Sequence, residues 1–141
     1  MLRLGDSAYL AMIGHCYDGM PDEACGLLAG PYPGGPGHVG AAASRCYPTA
    51  NDAASAKVYT VNPRDFLKAD RDAEDRGLAI LGVFHSHTHT DAYPSPTDVA
   101  QAPDPGWHYV IVSLRDEAPV VRSYRIVAGK IAEEAVVLSG R

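Results

Sequence analysis

LAILGVFHSHTHTDAYPSPTD occupies residues 78–98, and its two halves differ in character. The first seven residues are apolar and directly follow Gly77, which is the pattern of a strand buried on both faces in the middle of a sheet. From His85 onward the segment is polar and carries three histidines. The sequence therefore predicts a central strand with reactive side chains at its end.

His85 and His87 alternate along an extended segment, so their side chains share a face and can bind one metal ion together. A helix is predicted to begin at Ser95 and to hold Asp98 at its third position, where capping geometry keeps the carboxylate near the histidines. Two imidazoles and one carboxylate are typical protein ligands of a catalytic zinc ion, with the fourth tetrahedral position left for water. We therefore expect Zn²⁺ as the cofactor.

The spacing of these residues argues against a chance origin. Six histidines in 141 residues produce about 0.25 H-x-H pairs at random, so the pair alone is weak evidence. Requiring the Ser and the Asp at their distances after the second His lowers the expectation to roughly 0.001. His89 continues the alternation, but its place in the polar loop favours a solvent-exposed or substrate-facing role.

Glu23 lies far from this segment, in DEACGLLAG, and is the candidate general base. Its alternation with the apolar residues Cys25 and Leu27 places it on an inward face. A buried carboxylate without a partner is costly, unless it faces a water on a metal or a similar group. Ser95 is expected to cap its helix and to donate to a developing oxyanion, and the two roles are compatible. Cys25 is expected to be a small core residue.

The N-terminal half carries weaker patterns. Apolar residues spaced by three and four from Leu4 to His15 predict a helix that stops at Asp18-Gly19. Strands are predicted at about 23–29, from His38 to Tyr47 and from Lys57 to Val61, with a loose hairpin in PYPGGPG after the first.

The C-terminal half carries clearer signals. Asn62 and Pro63 are typical of a helix start, and the helix should run from 63 to about 76 and stop at Gly77. Strands are predicted over 107–114 and 120–127, with one more after Gly129. The length of 141 residues and this order of elements predict one α+β domain that spans residues 1–141.

Composition excludes several classes of function. The formal net charge is -5, and no run of Lys or Arg is present, so nucleic acid is not expected as a partner. Three widely spaced cysteines without a C-x-x-C pair indicate reduced thiols in a cytoplasmic protein. No signal peptide or long apolar segment is evident, so we expect no membrane association.

Glu23, His85, Ser86, His87, Ser95 and Asp98 together resemble the JAMM motif of the MPN+ (Mov34/PAD-1) zinc metallopeptidases. The resemblance implies a single-domain MPN/JAB fold of the cytidine-deaminase-like type, with a mixed sheet flanked by helices. It also implies zinc held by His85, His87 and Asp98, with Glu23 and Ser95 as catalytic residues. Most members have Pro after the second His, where this sequence has Thr88.

Within that family, DEACGLLAG, HSHT, AYPSPTDV and RSYRI are most similar to small actinobacterial enzymes that remove cysteine from a ubiquitin-like sulfur-carrier protein. The resemblance implies such a carrier as the substrate, cut after its C-terminal Gly-Gly in cysteine biosynthesis. Two alternatives remain open: a deubiquitinase-like or general peptidase of the same family, and a non-catalytic MPN interaction module. Zinc-dependent nucleoside deamination is disfavoured because the P-C-x-x-C ligand pair is missing.

Overall fold

The computed structural model describes residues 1–32 and 41–140. Its elements are, in chain order, β1 (Leu2–Leu4), α1 (Asp6–Asp18), β2 (Cys25–Pro31), β3 (Ala41–Ala43), β4 (Arg45–Thr49), α2 (Pro63–Asp75), β5 (Leu78–His87), α3 (Pro96–Ala100), β6 (His108–Ser113), β7 (Val120–Val127), β8 (Lys130–Glu134) and β9 (Val136–Leu138). Six strands form a large sheet in the order β4-β2-β5-β6-β7-β8, and the others form a small sheet in the order β3-β1-β9. In the large sheet only β5 and β6 run parallel. The prediction of an α+β fold with a mixed sheet and flanking helices is confirmed.

β5 is the central strand, as the apolar run in the sequence predicted. It lies between β2 and β6 and is buried from Leu81 to its end. Gly77 adopts a φ of +71°, a conformation that ends α2 and that glycine tolerates without a steric penalty. The strand continues through His85 and His87, so both histidines belong to the sheet itself.

Different elements cover the two faces of the large sheet. On one face, Phe84 packs in a core cluster with α1 and the small sheet. On the other face, Val83 packs in a cluster with α2 and the loops around it. Because side chains alternate along a strand, His85 and His87 lie on the same face as Val83. The candidate site therefore lies at the end of β5 on the α2 face.

The predicted helix from Leu4 begins two residues too early. Leu2–Leu4 form a strand whose two leucines are fully buried, and α1 begins at Asp6. The strand pairs in parallel with Ala41–Ala43 and Val136–Leu138, which are distant in the sequence. The predicted stop is confirmed, because the helix ends at Asp18.

The predicted strand from His38 to Tyr47 is divided between two sheets. β3 pairs with β1, whereas β4 pairs with β2. Between them, the backbone N–H of Ser44 donates to the carbonyl of Ala29. Residues 38–40 and the predicted hairpin beyond Tyr32 lie outside the described residues.

The strand predicted over Lys57–Val61 is wrong. The segment forms one isolated bridge, between Val61 and Asn51. The Asn51 side chain accepts a hydrogen bond from Thr60 N–H and donates one to the Val58 carbonyl. A side chain thus takes the place of the partner strand, as Asn side chains commonly do in loops.

The remaining local predictions agree with the structure to within one or two residues. α2 spans Pro63–Asp75, and the side chain of Asn62 caps it by accepting from Asp65 N–H. β6 and β7 occupy the predicted positions, while the tail after Gly129 adds two strands rather than one. The strand predicted to begin at residue 23 begins at Cys25. The three cysteines are free, and none of the described helices is both long and apolar enough to span a membrane.

Candidate metal and catalytic site

Three side chains converge at the end of β5 on the α2 face. Nε2 of His85 and Nε2 of His87 lie 3.1 Å apart. Oδ2 of Asp98 lies 3.2 Å from the first nitrogen and 3.0 Å from the second. All three residues are buried. The sequence-predicted ligand set is therefore brought together by the fold.

The arrangement fits a tetrahedral metal ion. With metal–ligand bonds of about 2.0–2.1 Å, ligand atoms in a tetrahedral site are about 3.3 Å apart, close to the observed spacing. Nδ1 of His87 lies 2.8 Å from the carbonyl of Asp91, which can only accept, so Nδ1 carries the hydrogen. In the neutral ring the lone pair of Nε2 then faces Asp98. Such a second contact is usual for a histidine that binds a metal.

Asp98 is fixed in the first turn of α3, as the sequence predicted. The backbone N–H of Ser95 donates to its Oδ2 over 2.9 Å, and its own N–H donates to Ser95 Oγ over 3.0 Å. These two bonds form a capping box at the start of α3. One bond therefore holds the carboxylate, and the other holds the backbone of the same residue.

The electrostatics of the three side chains favour a cation between them. Burial by itself raises the pKa of Asp98, but contacts with His85 and His87, whose rings donate to the carboxylate when they are protonated, outweigh it and hold that pKa far below its usual range. Burial lowers the pKa of His85. For His87 the lowering by burial is outweighed by the bonds to Asp98 and to the Asp91 carbonyl, so its pKa is raised. The carboxylate stays ionised and attracts positive charge to the point where the three atoms meet.

Glu23 is buried beside this cluster, with 4% of its surface exposed. Among the described residues, its Oε1 has no hydrogen-bond partner. Burial raises its pKa to about 7, while His87 opposes the rise and Asp98 adds to it. A carboxyl group with that pKa is suited to take up and release a proton near neutral pH. The predicted inward orientation is confirmed.

Ser95 is half-buried, and its cap role is confirmed. Its Oγ accepts from Asp98 N–H, which leaves the hydroxyl hydrogen free to donate to another group. The capping bond and a donor role toward a substrate oxygen are therefore compatible at this position.

The loop after His87 is held without the proline that is common in the resembled family. Ser113 Oγ donates to the carbonyl of Thr90 over 2.6 Å, and Arg115 pairs with Asp91 at the same distance. The Tyr124 hydroxyl donates to the carbonyl of Ala92. His89 is exposed and lies outside the three-residue cluster.

Tyr59 contributes to the site in a way that the sequence did not reveal. Its ring stacks on His85 with a centroid distance of 4.2 Å and an angle of 18°. It also lines a cavity of about 300 Å³ on the α2 face, whose walls are mainly apolar and include Leu27, Val61, Phe66, Val83 and Trp107. The aromatic residues in VYTV supported a strand, and no local signal tied Tyr59 to the histidines.

A family model described as prokaryotic homologs of the JAB domain matches residues 6–127. The chain belongs to this family. The match covers the three converging side chains, Glu23 and Ser95, so the resemblance inferred from the JAMM motif is confirmed. The predicted MPN/JAB fold agrees with it.

This chain is also similar to individual proteins over most of its length. The CysO-cysteine peptidase of Mycobacterium tuberculosis is 42% identical over 127 residues, which cover 89% of this chain and 83% of the relative. The desampylase of Haloferax volcanii is 31% identical over 117 residues, covering 79% and 80%. A solution structure of a protein from Desulfitobacterium hafniense is 34% identical, with a TM-score of 0.90 over 100% of this chain and 94% of that one. These similarities extend over most of the JAB domain.

Proposed function

We propose that this chain is a zinc-dependent peptidase that cuts a ubiquitin-like sulfur-carrier protein after its C-terminal Gly-Gly and releases cysteine. The observation that carries the proposal is the convergence of two imidazole nitrogens and one carboxylate oxygen beside the buried carboxylate of Glu23. The substrate class rests on the 42% identity to a CysO-cysteine peptidase, which exceeds the 31% identity to a desampylase. We further propose that residues 1–141 act as one catalytic domain in the cytoplasm, where free cysteines stay reduced.

His85, His87 and Asp98 would hold the zinc ion. In such a site zinc acts as a Lewis acid that polarises a carbonyl group and acidifies water. Glu23 accepts a proton from the attacking water and then delivers it to the leaving amine, which its pKa of about 7 allows near neutral pH. The Ser95 hydroxyl donates to the oxygen that becomes negative in the transition state. No covalent intermediate with the chain is needed.

Residues 57–61, called the edge segment below, support binding of an extended tail. Both backbone groups of Thr60 are already used: its N–H donates to Asn51 Oδ1, and its carbonyl accepts from Asp52 N–H. The bridge between Asn51 and Val61 is made by flanking residues: Asn62 N–H donates to the Ala50 carbonyl, and Asp52 N–H donates to the Thr60 carbonyl. The N–H and carbonyl groups of Tyr59 and Val61 themselves have no backbone partner among the described residues. Two such residues, spaced by two, can pair with an added strand. Glycines at the end of that strand let its backbone approach the site closely.

The decisive experiment incubates the zinc-loaded protein with a carrier that ends in Gly-Gly-Cys and reads the mass change. We expect loss of one cysteine residue, and Glu23→Gln serves as the control with an intact fold. A Lys-linked ubiquitin dimer is expected to be a poor substrate. Faster cleavage of the dimer than of the carrier would replace the proposal by the deubiquitinase-like alternative. Zinc binding without any hydrolysis would instead indicate a non-catalytic module.

A further inference from the structure

The side chain of Asn51 connects the backbone of the proposed base to the edge segment. Its Nδ2 donates to the Glu23 carbonyl over 2.9 Å and to the Val58 carbonyl over 3.2 Å. Its Oδ1 accepts from two backbone N–H groups, those of Ala53 and Thr60, at 3.0 and 2.8 Å. An amide side chain offers two donors and two acceptor sites, so this group uses its full capacity. It is a bridge between two parts of the site.

Glu23 needs such a bridge because it lies outside the regular ladder of β2, which begins at Cys25. On one side of it, Ser86 of β5 pairs with Ala24: Ser86 Oγ accepts from Ala24 N–H over 2.8 Å, and Ser86 N–H donates to the Ala24 carbonyl over 2.9 Å. On the other side, Glu23 N–H donates to the Ser55 carbonyl over 2.8 Å. The Asn51 bond is the contact that also reaches the edge segment.

We propose that Asn51 is a positioning residue that holds Glu23 and the edge segment as one unit. When the C-terminal tail of the carrier pairs with the edge segment, its scissile bond then lies at a fixed distance from the Glu23 carboxylate. The inference rests on the proposed function and adds a residue that the motif does not contain. General bases act over about 2.6–3.2 Å, and a misplacement of about 1 Å can cost roughly 10²-fold in rate.

Two substitutions of Asn51 and one matched control test the bridge. Asn51→Asp keeps the size and the acceptor oxygens but removes both donors. Asn51→Ala removes the donors without adding a charge, so agreement between the two variants excludes an effect of the charge. Lys57→Gln is the control: it changes the charge of the same loop by the same amount, at an exposed side chain that has no hydrogen bond or ion pair among the described residues.

The kinetic readout separates positioning from general loss of structure. With stoichiometric zinc bound, both Asn51 variants should lower kcat and raise KM for the carrier, each by about tenfold or more. Ser86→Ala should lower kcat and leave KM unchanged, because Ser86 is bonded to Ala24 next to the base and has no bond to the edge segment. A merely structural role would lower zinc content and active fraction without raising KM.

Amide hydrogen exchange of the metal-free protein tests the bridge independently of any activity. The N–H of Glu23 is bonded to Ser55, and the N–H of Asp52 is bonded to the Thr60 carbonyl, so the two amides report the base and the edge segment. We expect both to exchange about tenfold faster in the Asn51 variants and at the wild-type rate in Lys57→Gln.

Unchanged exchange at both amides, or a kcat and KM equal to those of the wild type, would overturn the bridge. Failure of the wild type to cut the carrier would overturn the proposed function instead, and the exchange result would still decide whether Asn51 joins the two parts.

Discussion

Two clusters of histidine and carboxylate side chains lie on the large sheet, and they differ in how their hydrogen-bonding groups are paired. In the first, His85 and His87 meet Asp98 at the end of β5. In the second, His108 at the start of β6 lies 2.5 Å from Oε2 of Glu134 through its Nδ1. Ser123 Oγ donates to the same carboxylate oxygen over 2.8 Å. Residue types and burial are similar in the two clusters, so neither distinguishes them.

The balance of donors and acceptors distinguishes them. In the Glu134 cluster each donor faces an acceptor, and the protein alone satisfies the group. In the His85 cluster, two ring nitrogens and one carboxylate oxygen make three mutual contacts, and with neutral rings there are fewer hydrogens than contacts. Glu23 lies nearby with an oxygen that has no partner among the described residues. A cation satisfies three converging lone pairs at once. Converging acceptors are therefore the feature that separates a candidate metal site from a structural pair.

The largest expected effect is the loss of zinc when a histidine of the first cluster is removed, compared with removal of the histidine of the second. His87→Ala should lose most of its zinc and with it essentially all hydrolysis, because two protein ligands remain. His108→Ala and His89→Ala should keep stoichiometric zinc. Elemental analysis of the purified variants checks this, and full zinc occupancy in His87→Ala would remove the distinction drawn between the clusters.

Replacing Glu23 tests whether its carboxylate is a base rather than a ligand. Glu23→Gln keeps the shape of the side chain but removes the group that accepts the proton. Zinc content should be unchanged, and the rate should fall by about 10² to 10⁴. Turnover near that of the wild type would place the base elsewhere.

Ser95→Ala tests whether the hydroxyl beside the first cluster takes part in catalysis or only caps α3. Loss of one donor to the oxyanion is expected to cost roughly 10² to 10³ in kcat. If Ser95 only caps α3, the variant would instead lose about 1 kcal/mol of stability and keep its turnover. Measuring kcat and the free energy of unfolding on the same sample separates the two roles.

The smallest effects are the pH dependences of stability, which should have opposite signs in the two clusters. Burial raises the pKa of Glu23 to about 7, so the folded protein holds a proton that the unfolded chain releases above its ordinary pKa. Burial also tends to raise the pKa of Glu134, but bonds from His108 and Ser123 outweigh it and lower that pKa to about 2. Each shift corresponds to at most about 3 kcal/mol.

Denaturant unfolding of the metal-free protein, which is expected to remain folded, measures both effects. Glu23→Gln should be more stable than the wild type at pH 8, and the difference should vanish toward pH 4. Glu134→Gln should be less stable at pH 6, and the difference should vanish as the pH falls toward 2. The same sign for both variants would mean that the two carboxylates do not differ in the way described.

The candidate ligand set was predictable because its geometry is local. His85 and His87 are two residues apart on a strand, and Asp98 is held by a capping box within three residues. α2 was equally predictable, since an Asn-Pro start and a Gly stop act on adjacent backbone groups. Glu23 could be nominated from the motif, whereas its burial beside the histidines depends on the pairing of β2 with β5.

The errors fall where distant segments meet. Leu2–Leu4 carries a spacing compatible with a helix, and only its pairing with β3 and β9 makes it a strand. The edge segment has the composition of a strand, yet the Asn51 side chain takes the hydrogen bonds of Val58 and Thr60 that a neighbouring strand of the chain would take. Tyr59 reaches His85 across an interval of the chain that no short-range pattern spans.

Local sequence patterns were sufficient to predict the central strand, the starts of α2 and α3, and the three side chains proposed as metal ligands. These features depend on steric preferences and hydrogen bonds between residues a few positions apart, which any window of sequence contains. Only the folded chain reveals which short segments pair, where Glu23 lies relative to the histidines, and that Asn51 joins the base to the edge segment. Those outcomes depend on which distant backbone groups each segment meets, and that is settled only when the whole core packs.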